Sequence, residues 1–522
     1  MKSLRFNFCV CILLAALSSF ERSKTITVPP TGEIQASSSS LNVPVLKEVT
    51  TNPVVRILVS IPQGNAEQRF RKLQCTLNPE AINFLDKIEA YHTGAEPFST
   101  INLIGSVNPY SSTFDIPVTI NQQSGLGFIW LSITLKTDAA LGKKIELHCT
   151  KLIDDVGKEL KVKQGSSVYT KLTGVAIRKA GENGVNTYRI PGVVITDRGT
   201  LLAVYDIRYN NSKDLPANID VGLSRSKDGG NTWEPMKVIM DMGLPNENNG
   251  IGDPAILFDP VTKKIWVAAL WSKGNRSIAG SLPGLSPDTT GQFVLVSSDD
   301  DGVSWSTPYS ITPQVKNPSW HLLFNGPGSG IAMQDGKLVF AAQYWDENKK
   351  SYSTIIYSND HGNTWKGKIA GPKSNTNESQ VVETNPGTLM LNMRDNRGGF
   401  RSVATTTNLG ATWTEHSTSY NSLADPVCMG SLIKAKVNVA GVLKDVLFFS
   451  NPNTTYGRYN MTIKASLDLG QTWMPANQLL IDERTCYGYS SLTKIDDTTI
   501  GILYEGTKDL YFVKVRVSDI IK

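Results

Sequence analysis

The sequence predicts an all-β protein, a six-bladed β-propeller preceded by a β-sandwich. Three observations point there: a short Asp/Gly/Trp box recurs five times, apolar and polar residues alternate in short runs ahead of it, and the 43 glycines fall mostly in turn-like clusters. A chain of 522 residues has room for two or three domains and a large core.

Residues 1–24 read as a leader. MKSLRFNFCVCILLAALSSF joins a basic start to an apolar run of signal-peptide length, and no later run is long enough to cross a bilayer. Cleavage is expected near residues 19 to 24, which makes the mature chain periplasmic, cell-surface or extracellular. The alternatives are a retained anchor, or lipidation at Cys9 or Cys11, although neither cysteine follows a small-residue lipidation site. Residues 25 to about 50 are rich in Ser, Thr and Pro, as in a linker or frayed edge.

From Val54 to about Lys171, runs such as VVRILVSIP, STFDIPVTI, FIWLSITLK and KIELHC alternate in character and are bounded by turn residues. Residues 25–172 are therefore assigned to an N-terminal β-sandwich, a candidate carbohydrate-binding domain, with one short helix expected over Ala81 to Tyr91.

The propeller is expected over 173–522. Its boxes are Ser226-Lys-Asp228-Gly-Gly230-Asn-Thr232-Trp233, Ser298 to Trp305, Ser358 to Trp365, Thr406 to Trp413 with Asn408 in place of Asp, and Ser466 to Trp473. In each, the Asp or Asn side chain can bond backbone amides of a tight turn and the Gly can take positive φ. Thr and Trp then begin the next strand and bury the indole between sheets. Spacings of 48 to 72 residues suit four-stranded blades, and roughly 350 residues make six of them, one without a visible box. Repeated identical turns are scaffold, so their aspartates receive no catalytic role.

Composition narrows the function. The net charge is +5, but Lys2, Arg5, Arg22 and Lys24 lie in the leader, so the processed chain is near neutral and nucleic acid is not an expected partner. Four cysteines remain after the leader, Cys75, Cys149, Cys428 and Cys486, too few and scattered for a disulfide scaffold or zinc site; a Cys75–Cys149 bridge stays open. The five histidines show no ligand spacing, so neither a metal nor another cofactor is expected. A monomer is the expected state.

Five boxes downstream of Tyr188-Arg189-Ile190-Pro191 closely resemble the bacterial exo-sialidases, retaining glycosidases of glycoside hydrolase family 33. The resemblance covers about Gly174 to Lys522; the region before it resembles, by pattern only, the sandwich that precedes the propeller in some of these enzymes. It implies hydrolysis of terminal sialic acid from glycoproteins, glycolipids and oligosaccharides.

Sialic acid carries a carboxylate on its anomeric carbon, and guanidinium forks meet carboxylate oxygens two at a time. The resemblance implies three such arginines: Arg189 by its Tyr-Arg-Ile-Pro context, Arg394 in LNMRDN and Arg458 in TTYGRYN, with Arg397 and Arg401 as neighbours that could be confused with Arg394. It also implies an aspartic acid proton donor on a loop after the first arginine, which selects Asp214 over Asp220, and makes Arg208, beside Asp206, a secondary substrate contact.

A carboxylate nucleophile would be repelled by the substrate's own carboxylate, and sialidases are the tyrosine exception among retaining glycosidases. In CYGYSSL the matching position is Tyr489, with Tyr487 the near miss. A phenol of ordinary pKa about 10 needs a base beside it. NESQVVE offers Glu378, which its Asn-Glu context favours, and Glu383. Glu505 in LYEGT resembles the carboxylate that orients the first arginine, Asp253 in GIGDPA a pocket aspartate, and Trp271 a wall of the acetyl pocket. Trp320, His321, Gln343 and Tyr344 fall where rim residues arise, or are core. Rival readings are a trans-sialidase, an anhydro-forming sialidase, and a non-cutting sialoglycan lectin, which would need no donor, nucleophile or base.

Overall fold

The computed structural model describes residues 32–165, 170–243, 249–274 and 276–522. The leader, and so the expected cleavage region, lies outside the described residues.

Strands from the first 165 residues form one sheet of nine, in the order Leu103–Val107, Leu85–Gly94, Gly125–Leu135, Asn52–Ile61, Gln35–Ser40, Glu159–Gln164, Leu147–Asp154, Gln68–Leu77, Thr113–Gln122. The sheet curls until its end strands meet. A Cβ on Gly105, in the first of them, would stand 2.1 Å from the Pro117 carbonyl oxygen in the last. One continuous apolar core fills the resulting sandwich-like barrel.

Two expectations are corrected here. The Ser-rich stretch is no linker from Gln35 onward: Gln35–Ser40 sits inside the sheet, antiparallel to Asn52–Ile61 and parallel to Glu159–Gln164. Backbone ladders need no apolar side chains, and Ala36 and Ser38 alternate inward. The helix expected over Ala81 to Tyr91 is a single 3-10 turn, Pro79–Asn83, followed by the strand Leu85–Gly94. Ala81, Leu85 and Ile88 mimic a helical stripe, but Leu85 and Ile88 belong to a strand paired on both sides.

Six sheets make the propeller. Blades 1 to 5 run outward from inner strands that begin at Thr187, Ile251, Leu322, Thr376 and Ser431. Blade 6 takes its inner three strands from the C-terminal end, Ser490–Asp496, Thr499–Glu505 and Leu510–Arg516, and its outer strand from Lys171–Arg178, beyond which Val45–Lys47 adds a parallel edge. The propeller is closed by strands more than three hundred residues apart in sequence.

All five boxes join the third strand of a blade to its outermost strand or bridge. In the third box the Ser358 hydroxyl donates to Asp360 Oδ1 at 2.7 Å and accepts the Gly362 amide at 2.8 Å, while Asp360 accepts the Thr364 amide and hydroxyl at 2.9 and 2.6 Å. Gly362 has φ +89°, and a Cβ there would stand 2.3 Å from the Trp266 ring of blade 2. Trp365 packs edge-on against that ring at 6.2 Å, across the blade boundary. The outer strand begins directly after the Trp in the fourth box, but only at Lys237, Tyr309 and Gln478 in boxes one, two and five.

Candidate active site

Three inner strands break register at the same end of the propeller. The ladder slips between Arg189 and Gly192 in blade 1, between Gly252 and Ala255 in blade 2, and between Thr376 and Ser379 in blade 4. Such bulges re-aim side chains, and these carry Arg189, Asp253 and Glu378. Ile190 and Asp253 both sit at φ +57°, a costly conformation for a β-branched residue and an uncommon one for any other than glycine. Glu505 helps hold the first bulge. Fully buried, it accepts the Ile190 amide at 2.8 Å, Arg189 Nε at 3.1 Å and the Tyr489 amide at 2.9 Å, and so fixes blade 1 to blade 6.

Around Tyr489 the charges are arranged as a cage. The Tyr489 hydroxyl donates a short hydrogen bond to Glu378 Oε1, and Arg394 Nη1 donates to Glu378 Oε2 at 2.5 Å and to the Tyr489 hydroxyl at 3.1 Å. Arg189 and Arg458 lie over the Tyr489 ring at 5.3 and 5.8 Å. Arg458 is held by the carbonyls of Tyr487 and Val427 at 2.8 and 2.9 Å. Arg394 Nε is buried without a partner among the described residues. Burial and the Glu378 charge push the Tyr489 phenol well above its ordinary pKa, and Arg394 and Arg189 offset this only in part. In the free site the phenol is neutral.

Arg208, also buried, clasps Asp206 at 2.8 Å and reaches Asp214 with Nη1 at 2.7 Å, while Arg189 Nη1 lies 3.5 Å from the same Asp214 oxygen. The Asp214 side chain is 70% exposed on its loop. Desolvation raises its pKa, but Arg208 and Arg189 outweigh that and hold it below the usual carboxylate range. Asp253 behaves oppositely. Burial, then Asp206 and Asp214, push its carboxyl well up, and its side chain has no hydrogen-bond partner among the described residues.

Arg189, Arg208, Asp214, Glu378, Arg394, Arg458, Tyr489 and Glu505 thus converge, with Asp253 beside Asp206, whose Oδ1 accepts the Asp253 amide at 2.8 Å. Trp271 ends the strand next to Asp253, its indole donating to Asn249 at 3.0 Å. The competing candidates lie elsewhere. Glu383 caps the Gln334 and Gly387 amides at the far end of the Glu378 strand, Arg397 is tied to Asp395, and Arg401 is buried on Asn392 and the Cys428 carbonyl. Asp220 is buried and accepts from the Tyr209 hydroxyl. Trp320 stacks on Tyr344 at 3.8 Å within the blade 2/3 core, and His321 faces the Asp346 carbonyl.

Sequence reasoning missed two supports. Asn325 Nδ2 donates to the Asp253 carbonyl at 2.6 Å, and Gln343 Nε2 reaches the Asn325 carbonyl at 3.5 Å. Tyr487 spreads its ring over the Arg189 guanidinium at 4.6 Å. No short motif marks Asn325; Tyr487 was visible only as a rival to Tyr489. Among the described residues, no group of three or more His, Cys, Asp or Glu could hold a metal, and no helix is long and apolar enough to cross a membrane.

The BNR repeat-like domain family matches residues 190–483. A sialidase of Bacteroides fragilis is 49% identical over 408 residues, 76% of this chain and 74% of that protein. A sialidase of Clostridium perfringens is 31% identical, over 52% of this chain and 72% of its own length. The solved structure of the Hadza microbial sialidase Hz136 superposes with a TM-score of 0.87 at 39% identity, covering 93% of this chain and all of that one. A Trypanosoma rangeli sialidase captured as a covalent intermediate with 2,3-difluorosialic acid shares the fold, with a TM-score of 0.54 at 24% identity over 66% of this chain and 56% of that one.

Proposed function

From the premise that this chain belongs to the sialidases, glycoside hydrolases built on BNR repeats, we propose that it is an exported, monomeric exo-α-sialidase. It removes terminal sialic acid from glycoproteins, gangliosides and oligosaccharides with retention of configuration, and Tyr489 is the nucleophile. The observation that carries this reading is the Tyr489 hydroxyl donating to Glu378 inside a ring of arginines. A binding protein would need the arginines but not the paired phenol and carboxylate.

Arg189, Arg394 and Arg458 receive the substrate carboxylate, and this fixes the anomeric carbon over Tyr489. Glu378 takes the phenolic proton as the oxygen attacks, so no free phenoxide is required from a group whose pKa is raised. A neutral phenol approaches the carboxylated carbon without the repulsion that an aspartate would meet. Asp214 protonates the leaving oxygen. Its carboxyl is ionised in the free site because of Arg208 and Arg189. The incoming carboxylate offsets those charges and the glycan strips water from the loop, and both changes raise its pKa toward that of a donor. Asp214 then draws a proton from water as its oxygen attacks the anomeric carbon, and the bond to Tyr489 breaks while Glu378 returns the proton to the phenolic oxygen. Asp253 and Trp271 line the pocket for the remaining substituents, and Glu505 holds Arg189 and the Tyr489 backbone in place. The leader sequence supports export.

The test is to incubate the mature protein with an aryl sialoside and follow the released sugar by NMR, with Tyr489→Phe and Asp214→Ala alongside. Initial release of the α-anomer, lost in Tyr489→Phe, is the expected result. Initial β-anomer, transfer or anhydro product, or binding without release, would each displace the reading.

A further inference from the structure

A cavity of about 420 Å³ opens where the nine-stranded sheet meets blades 5 and 6. On the sheet side it is walled by Arg56 and Trp130, which stand opposite each other across two strands, and by Phe128, two residues before Trp130 and on the same side of the strand. Phe98 closes the wall edge-on to Trp130 at 5.6 Å, and the Arg56 guanidinium lies over the Phe128 ring at 5.1 Å. Sheet faces that meet water ordinarily carry polar side chains, yet Phe98 and Phe128 are only half-buried here. An apolar concave wall with a few charged groups at a domain junction is the usual make-up of a ligand site.

Charge separates this cavity from the cluster around Tyr489. That cluster gathers four arginines, which suits a carboxylate. The junction sets Arg56 and Arg484 against Glu96, Asp482 and Glu483, with Arg484 already paired to Asp482 at 2.6 Å. No positive charge is in excess, so an anion gains nothing there. The fitting ligand is neutral, with an apolar face for the phenylalanines and hydroxyls for the carboxylates and guanidiniums, and a hexose ring has both.

Position ties the two together. The strand ending at Asp482 and the one beginning at Ser490 are joined by the segment that holds Tyr487 and Tyr489. Within it Cys486 lines the cavity, while the next residue, Tyr487, covers Arg189. Successive Cα atoms lie about 3.8 Å apart, so one strip of chain separates the cavity from the carboxylate-binding arginines.

We propose that this cavity is a second glycan subsite, which holds a neutral hexose of the substrate behind its terminal residue. The identity of the glycan rests on the hydrolase reading; the capacity to bind a hexose does not. Two variants of the full mature chain test it: Thr485→Trp, which sets an indole at the exposed rim, and Phe128→Ala, which removes the platform. Saturation-transfer NMR with lactose is expected to give a signal in the wild type that weakens in both variants. kcat/KM for sialyllactose is expected to fall by about fivefold to tenfold while that for an aryl sialoside holds within about twofold, the scale of one lost ring contact. No lactose signal in the wild type, an unchanged signal in Thr485→Trp, or parallel losses on both sialosides would overturn the subsite. If the wild type cleaves neither sialoside the hydrolase reading fails, and the lactose signal alone then decides the cavity.

Discussion

Arg394, Arg397 and Arg401 carry the same charge within eight residues of chain, and only their surroundings separate them. Arg397 spends its fork on Asp395, and Arg401 is buried on Asn392 and the Cys428 carbonyl, whereas Arg394 keeps an unpartnered Nε beside Tyr489. Sequence context could rank these arginines but could not show which fork was already spent. The same holds for Asp214 and Asp220, six residues apart, whose pKa values move in opposite directions. Asp214 is lowered by Arg208 and Arg189, so a bound substrate that offsets those charges must raise it. The basic limb of kcat, which reports the complex, is therefore expected at higher pH than that of kcat/KM, which reports the free enzyme. Coincident limbs in a pH-rate study would remove Asp214 as the donor. Asp220 is raised to about 6 by desolvation and then by Asp241. A raised carboxyl contributes stability that is full below its ordinary pKa of 3.8 and is lost as pH rises through 6. Asp220→Asn keeps an acceptor for Tyr209, so it is expected to stabilise the fold at pH 8, by ~3 kcal/mol at most, and to do nothing at pH 3.5. Urea unfolding at the two pH values measures this; equal effects at both would show that the charge is not the cause.

The boxes were legible because their chemistry is local: every partner of Asp360 lies within four residues of it. The bulges were not legible as such. Ile190 and Asp253 are each followed by a proline, a hint of broken pairing, but the Glu378 bulge has no such mark. The strand Leu85–Gly94 escapes a sequence reading for the related reason that ladder pairing on both sides, to the next strand and to the more distant Gly125–Leu135, overrides a short helical spacing. The fourth box supplies a natural control for the turn. Asn408 accepts the Thr412 amide at 2.9 Å and donates to its hydroxyl at 2.9 Å, which reproduces both contacts with Thr with one of them reversed. Asp360→Asn should therefore be nearly neutral. Asp360→Ala should cost about 1 kcal/mol, because it strips a partner from the buried Ser358 hydroxyl, whereas the exposed Thr364 amide and hydroxyl can turn to water. Denaturant midpoints would rank the two, and aryl sialoside hydrolysis should survive in both. A loss of hydrolysis in a folded Asp360→Asn would contradict the scaffold assignment.

At the scale of the whole molecule, the sixth blade explains its own missing box. A box joins a third strand to a fourth, but the third strand of blade 6, Leu510–Arg516, lies near the end of the described chain, and its outer partner, Lys171–Arg178, enters from ahead of blade 1. The absence was visible in sequence; the reason was not, because pairing between strands so far apart leaves no local trace. That closure also fixes what the N-terminal half contributes. Val45–Lys47 adds an edge to the same blade, and Lys47 Nζ reaches the Asn231 carbonyl at 2.8 Å inside the first box, so the sandwich is fastened where the ring closes. A chain begun at Thr170 keeps the closing strand, whereas one begun at Lys179 leaves the long edge of Leu510–Arg516 open, an invitation to pair with other chains. The first is expected to remain soluble and to cleave an aryl sialoside, and the second to aggregate. Light scattering and the hydrolysis assay on the two purified chains would decide it. If the shorter chain were as monodisperse and active as the longer, closure by Lys171–Arg178 would not be what holds the ring together.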